Sequence, residues 1–306
     1  MTKKKVHHFV HDGYLKAWRM PKIIYVYDLQ KRKSFEKTGR DVGAEGKFNV
    51  FSFDERVIDL LHYTFAERVN RGESNGVYRP MLCFIDFMKN FDYQHKTDNF
   101  LEDFYGYFET RIDEALRRVK RVEKLINNGI FEAFDSLIFF FCLQLFRTPK
   151  IRHLMSGEMM EIYHGNHQLD AQQKDEFIKM HLLISALAMA ADIVRKGCQI
   201  RLNYADCGGR FINSDAPVIL SGGAVRQLDE IKGRMPLSPH VLMEIDHIGL
   251  GARLECRSNI SYVELRDINC QMIFNARRSI YFSSANQLTK YLPVIERRLR
   301  GDGQIY

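Results

Sequence analysis

Residues 134–146 read FDSLIFFFCLQLF. A helix drawn over them is apolar almost all round, and such a helix is stable only where neighbouring elements cover every side of it. The run is too short to cross a membrane, which takes about 20 apolar residues. It is therefore expected to be the central buried helix of a soluble protein. The chain of 306 residues is long enough to build a well-buried core around it, in one large domain or two modest ones. Hydrophobic residues make up 45% and charged residues 27%, which excludes a mostly disordered chain.

The segments around this run are helical by period. DERVIDLLHYTFAERV places Val57, Leu60, Leu61, Phe65 and Val69 on one face, with Asp54 as N-cap and Glu55 beside it. RGESNGVYRP breaks that helix, and a second is expected from about Met81 to Asn90. NFLEDFYGYFETRIDEALRRVKRVEKLINNG reads as a long helix with an Asn-Asn-Gly stop, and residues 171–197 as another that ends at Gly197. Pro149 is expected to kink or end the apolar helix.

Strand character flanks this helical stretch. IIYVYDL and KFNVFSF read as β, joined by the charged connection QKRKSFEKTGRDVGAEG. After Gly197, CQIRLNYAD, RFINSD, PVILSGG and HVLMEID are short strand candidates. INCQMIFNARRSIYFSS reads as a short helix running into a strand, and ANQLTKYLPVIERRLRG as a closing helix. The expected architecture is a single α+β domain over 1–306. It has a small N-terminal β unit (1–53), a helical middle (54–197) and a mixed β/α C-terminal part (198–306), and strands from the two ends can share a sheet.

The six cysteines, Cys83, Cys142, Cys198, Cys207, Cys256 and Cys270, include no two within four positions, which excludes CxxC zinc spacing and a compact disulfide framework. MTKKKVHHFVHDGYL has no apolar core of a secretory signal. A cytoplasmic protein with reduced thiols and no membrane partner is expected. The formal charge of +7 permits nucleic acid or nucleotide partners without demanding them.

Four stretches can carry chemistry. KKKVHHFVHDGYLKAW holds His7, His8 and His11. On a strand His7 and His8 point to opposite faces and cannot easily share a metal, whereas in a loop they can. Tyr14 and Trp18, four apart, favour a short amphipathic helix docked on the core behind a basic tail. In QLFRTPKIR, Gln144 and Arg147 stand at the end of the apolar helix; Arg147 is paired to a carboxylate, held for an anion, or solvated. In RFINSDAPVIL, Ser214-Asp215 before Pro217 is turn chemistry or a strand-end acid for catalysis or metal, and the turn is favoured on the motif alone. In GRMPLSPHVLMEID, Pro236 and Pro239 fix an extended lead-in, with Ser238 bonding to nearby backbone. His164 and His167 of HGNH read as solvated loop residues, and Arg117, Arg118, Lys120, Arg121 and Lys124 as a solvated helix face. No P-loop, GxGxxG, HExxH, GxSxG or kinase motif is present.

In order, HHFVHDGYLKAW, YVYDL, VGAEGKFNVFSF, LQLFRTPKIR, FINSDAPVIL and MPLSPHVLMEI resemble the bacterial family catalogued as domain of unknown function 4238. The resemblance covers nearly the whole chain. It departs at the opening, where the family's proline gives way to His11 or its neighbour. It implies that His7, His8, Tyr14, Gln144, Arg147, Ser214 and Asp215 occupy family motif positions, with Glu45 and Glu109 as further matches, and that these form a shared polar site. Two readings follow. One is a nuclease or other phosphate-ester hydrolase, in a phage-defence or toxin setting by analogy. Histidine would be its acid/base, a divalent metal would sit on Asp215 with Glu45 or Glu109, and Arg147 would clamp phosphate. The alternative is a non-catalytic nucleotide- or protein-binding module whose polar set is a buried network.

Overall fold

Helical and strand periods segregate along the chain largely as the sequence indicates. The computed structural model describes residues 6–19, 22–38, 42–46, 51–52, 54–72, 75–90, 100–119, 131–163, 169–205, 207–221, 232–246, 253–258 and 260–301. The chain opens with β1 (Val6–His8), the single turn α1 (Asp12–Leu15) and a 3-10 turn (Lys16–Trp18), then β2 (Ile24–Asp28), β3 (Lys33–Lys37) and β4 (Ala44–Gly46). The helical middle holds α2 (Glu55–Asn70), α3 (Asn75–Asn90), α4 (Phe100–Val119), α5 (Phe131–Phe146), α6 (Pro149–Tyr163) and α7 (Ala171–Lys196). The C-terminal part holds β5 (Gln199–Tyr204), β6 (Asn213–Ser214), β7 (Ile219–Leu220), β8 (Lys232–Ser238), β9 (Val241–Asp246), β10 (Arg253–Ser258), α8 (Tyr262–Asn275), β11 (Ser279–Phe282) and α9 (Ala285–Leu299). The architecture is α+β.

Strands from the two ends share a sheet. Its order is β3-β2-β11-β6, with β2 antiparallel to β11 and Tyr27 opposite Ile280. A second sheet, β10-β5-β9-β8-β7, is antiparallel except that β10 runs parallel to β5. β1 pairs with β4. Side-chain alternation along these strands divides the interior in two. In β9, Val241, Met243 and Ile245 join the core of the helical middle, while Leu242 joins a second cluster beneath α8 and α9. In β11, Tyr281 faces the first cluster, and Ile280 and Phe282 the second.

α5 is the central helix expected. Leu137, Ile138, Phe140, Phe141 and Cys142 are fully buried, and the helix packs against α4 and α7. α7 is long and apolar enough to cross a membrane, but 78% of its apolar stretch is buried against the rest of the protein, as in a core helix. Asp54 caps α2 through the Arg56 amide at 2.9 Å. Gly197, at φ 83°, ends α7 in a backbone conformation that favours glycine. Pro149 ends α5 by opening α6 at its first position, where a missing N–H breaks no helical bond.

Several expectations are corrected. α3 starts at Asn75, with Pro80 inside it at the loss of one backbone bond. The charged connection QKRKSFEKTGRDVGAEG contains β3 and β4; β3 is largely exposed and so shows no apolar alternation. Phe51 and Ser52 of KFNVFSF lie outside any strand, and 47–50 and 53 lie outside the described residues. GRMPLS is itself strand β8, with Pro236 at a register shift where the ladder tolerates it. A Cβ at Gly233 would run into the Phe141 ring, so glycine there lets β8 press on α5. Residues 3–5, the Asn-Asn-Gly stop, His164, His167, Lys120, Arg121 and Lys124 lie outside the described residues.

Candidate functional site

The N-terminal segment docks as its spacing indicates. The Tyr14 ring meets Trp18 edge-on at 5.2 Å and Phe140 at 5.0 Å. The Trp18 indole donates to the Phe211 carbonyl at 3.0 Å, and the Tyr14 hydroxyl donates to the Pro236 carbonyl. Burial raises the pKa of Tyr14, and its one proton is committed to backbone. Tyr14, expected as a catalytic group, anchors the segment to β8 through this bond.

This docking sets His11 against α4. Glu109 and Asp113 stand four apart on that helix and share a face. His11 Nε2 is 2.7 Å from Asp113 Oδ1, and its Nδ1 is 3.3 Å from Glu109 Oε2. Arg147 Nη1 donates to Glu109 Oε1 at 2.8 Å, and its guanidinium lies 3.8 Å from the centre of the Tyr105 ring. His11 and Arg147 are buried. Buried charges persist only where paired, and here two cations meet two carboxylates. Burial lowers the His11 pKa, but the bonds and charges of Asp113 and Glu109 outweigh it and raise the value to about 9. Burial likewise opposes the ionised forms of Glu109 and Asp113, yet His11, joined by Arg147 at Glu109, holds both below the usual carboxylate range. A Cβ at Gly13 would strike the Asp113 carboxylate and the His11 ring, so glycine there makes room for the contact. An imidazolium with both nitrogens facing carboxylates acts as a clamp between α1 and α4, not as a proton acceptor.

Ser214 makes a local turn bond, whereas Asp215 is tied to a backbone segment far along the chain. The Asp215 carboxylate accepts from the Arg277 and Arg278 amides at 2.8 Å each, and its own N–H donates to the Ser279 carbonyl at 3.0 Å. Burial raises its pKa against the pull of those amides. Ser214 Oγ accepts from the Ala216 amide at 3.1 Å and donates to Met272 Sδ at 3.1 Å. Arg278 also reaches Glu45 Oε2 at 2.7 Å. His7 stands opposite Glu45 in the β1–β4 ladder, and His8 opposite Ala44. Ser238 bonds nearby backbone as expected, accepting from His240 and Val241 in the β8–β9 turn.

Of the carboxylates expected to hold a metal, Asp215 with Glu45 or Glu109, Asp215 and Glu45 both bond Arg278, while Glu109 belongs to the His11 network. Glu45 meets the Arg278 guanidinium, Asp215 the Arg277 and Arg278 amides, and Glu109 meets His11 and Arg147. Among the described residues no group of three or more His, Cys, Asp or Glu is arranged to hold a metal ion.

Gln144 and Arg147 are brought together but face different places. Arg147 turns to the charge network, whereas Gln144 and Thr148 line a cleft of about 810 Å³ between the α5–α6 junction, β7, β8 and α8. Gln144 is 1% exposed, and its carbonyl oxygen has no hydrogen-bond partner. Lys150, the second residue of α6, donates from its ammonium to Asn275 Oδ1; the Asn275 amide donates to the Ala216 and Val218 carbonyls at 2.7 and 2.8 Å. Burial lowers the Lys150 pKa, Arg298 adds to this, and Asp215 opposes it. Among the described residues no carboxylate lies within ion-pair distance of Lys150. Arg234, also on the cleft, pairs with Glu244 at 2.7 Å.

Sequence reasoning missed His11, Asp113, Lys150 and Asn275 as site residues. Two signals could have found most of them. ETRID sets two carboxylates four apart on an amphipathic helix, which asks for a buried cation. A lysine in the first turn after a helix-opening proline sits at the positive end of the helix, where cations are disfavoured.

The family model described as Protein of unknown function (DUF4238) matches residues 6–286 of the chain. No curated protein and no solved structure matches it.

Proposed function

We propose that the chain, which belongs to the DUF4238 family, binds a small phosphate-bearing ligand in the cleft at the α5–α6 junction. The observation that carries this is Lys150. Its ammonium is partly buried at the N-terminus of a 15-residue helix, with an amide as hydrogen-bond partner and, among the described residues, no carboxylate within ion-pair distance. Thr148 accepts from the Ile151 and Arg152 amides, but the positive end of the helix still favours an anion, and a phosphate would compensate both it and the ammonium. The cleft volume falls within the range that encloses a small organic ligand, roughly 300–1,000 Å³.

The same geometry favours binding over ester hydrolysis. His11 is held as a clamp, the Tyr14 proton is committed to a carbonyl, and Asp215 is occupied by two amides. The buried polar set supports the fold beside the cleft.

Calorimetric titration with pyrophosphate, on the parent and on Lys150→Met, tests the reading. Binding that weakens at least about tenfold in the variant is expected, the scale of a lost charged hydrogen bond. RNA, DNA and nucleotides incubated with magnesium or manganese should stay intact. No binding by the parent, or equal binding by Lys150→Met, overturns the proposal. Hydrolysis that Asp215→Ala abolishes would return the hydrolase in its place.

A further inference from the structure

We infer that the surface where β2 turns into β3 binds the phosphate backbone of duplex nucleic acid, without regard to base sequence. This surface is separate from the cleft and does not rest on the phosphate reading above. Three stretches of chain meet there. The β2–β3 turn carries Lys31, Arg32 and Lys33, all exposed. The Leu29 amide donates to the Arg278 carbonyl at 2.8 Å, which sets Arg277 and Arg278 beside that turn. The Arg298 guanidinium donates to the Ile273 carbonyl at 2.7 Å and to the Ala276 carbonyl. These bonds bring the last turn of α9, with exposed Arg297 and Arg300, to the same place. Burial and the Glu296 carboxylate raise the Tyr27 pKa while Arg32 lowers it, so α9 and the turn approach each other across this ring.

The positive charge is not balanced within the protein. Asp28 is occupied: it accepts from the Gln30 amide at 3.0 Å and the Lys31 amide at 2.9 Å, with the Lys31 ammonium at 3.9 Å. Arg278 pairs with Glu45. Among the described residues no carboxylate lies within ion-pair distance of Arg32, Lys33, Arg277 or Arg297, whereas exposed Lys89 and Lys232 find Asp59 and Asp246. Arg32 stands at φ 52°, a left-handed backbone conformation that glycine adopts without penalty. An arginine kept at a strained turn tip points to a use for its side chain. Lysines on an exposed strand edge guard it against pairing with another chain, which accounts for β3 but not for Arg277 and Arg297 on other elements.

Three of these four cations are arginines, whose planar fork meets phosphate oxygens two at a time. The exposed large apolar side chains Tyr63, Tyr107, Leu154, Tyr262 and Val263 all lie outside this surface, so among the described residues it has nothing to insert into a bilayer. Phe35, beside the turn, is half-buried with the Lys31 ammonium 5.6 Å from its ring centre, so that ring has no open face for an unpaired base. A duplex, with closely spaced phosphates outside and bases hidden, fits these features.

Fluorescence anisotropy of a labelled mixed-sequence DNA duplex, titrated with the full chain over a range of salt, tests this. Four phosphate contacts predict a slope of log affinity against log salt of about −3.6, or a loss of about a hundredfold between roughly 50 and 200 mM salt. Arg32→Gly removes one contact and the backbone strain together, so the slope should shrink by about 0.9 while the variant melts no lower than the parent. That combination separates a lost contact from a lost fold. Arg277→Gln combined with Arg297→Gln should shrink the slope by about 1.8. Arg79→Gln, at an exposed position on α3, should bind the duplex as the parent does. No binding at low salt, a slope that the Arg32, Arg277 and Arg297 variants leave unchanged, or an equal loss in Arg79→Gln overturns the inference. So does binding to vesicles of phosphatidylserine and phosphatidylcholine without binding to the duplex.

Discussion

Replacing His11 by glutamine is predicted to lower folding stability by about 3 kcal/mol near pH 6. The magnitude comes from the clamp. Contacts with Asp113 and Glu109 raise the His11 pKa from 6.5 to about 9 in the folded state, and each tenfold change in proton affinity is about 1.4 kcal/mol. Because the folded value lies above the unfolded one, this stability is fully present below pH 6.5 and is lost as pH rises through about 9. Glutamine keeps a hydrogen-bonding side chain but carries no positive charge, so Glu109 retains only Arg147, and Asp113 loses its partner. Urea denaturation of parent and variant at pH 6, 8 and 10 measures the difference. The gap should be about 3 kcal/mol at pH 6, smaller at pH 8 and mostly closed at pH 10. A gap under about 0.5 kcal/mol at pH 6, the scale of an ordinary surface substitution, would refute the clamp. So would a gap that is the same at pH 6 and pH 10.

Two further predictions concern the scaffold. Gly13→Ala places a methyl group against Asp113 and the His11 ring. It should destabilise by about 1–3 kcal/mol and move the His11 pKa back toward 6.5, read by NMR titration of the imidazole; an unshifted titration would show that the close approach does not matter. Asp215→Asn leaves one of the Arg277 and Arg278 amides without its acceptor and should cost about 1–3 kcal/mol in chemical denaturation. A variant as stable as the parent would contradict the anchoring of Asp215 on those amides.

The helical middle was legible because its signals are local. Asp54 caps, Pro149 opens and Gly197 stops helices by their own backbone chemistry, and the all-apolar face of residues 134–146 announces burial. Strand β3 was not legible, because its mostly solvated side chains lack an apolar alternation, and β8 was hidden by prolines that a register shift accommodates. The site was legible only in its parts. QLFRTPKIR pointed to Gln144 and Arg147, but nothing local says that one helix end turns Arg147 to a charge network and Gln144 to a cleft. The histidine that forms the clamp is the third of the cluster, His11, because its partners come from a helix about a hundred residues downstream and only docking through Tyr14 and Trp18 brings them together. Ser214 and Asp215 combine residue types that suit both a turn and an active site; Ser214 bonds the nearby Ala216 amide, whereas the partners of Asp215 are amides on 277 and 278 that no local pattern announces.

Amide hydrogen exchange with and without saturating pyrophosphate tests most directly whether an anion is held at the α5–α6 junction. Slowed exchange at the Lys150 amide in the first turn of α6 and at the amides around Asn275 at the end of α8 is the result this account predicts. Pyrophosphate that binds while those amides exchange as before, or that protects the His11–Glu109 region instead, would contradict it.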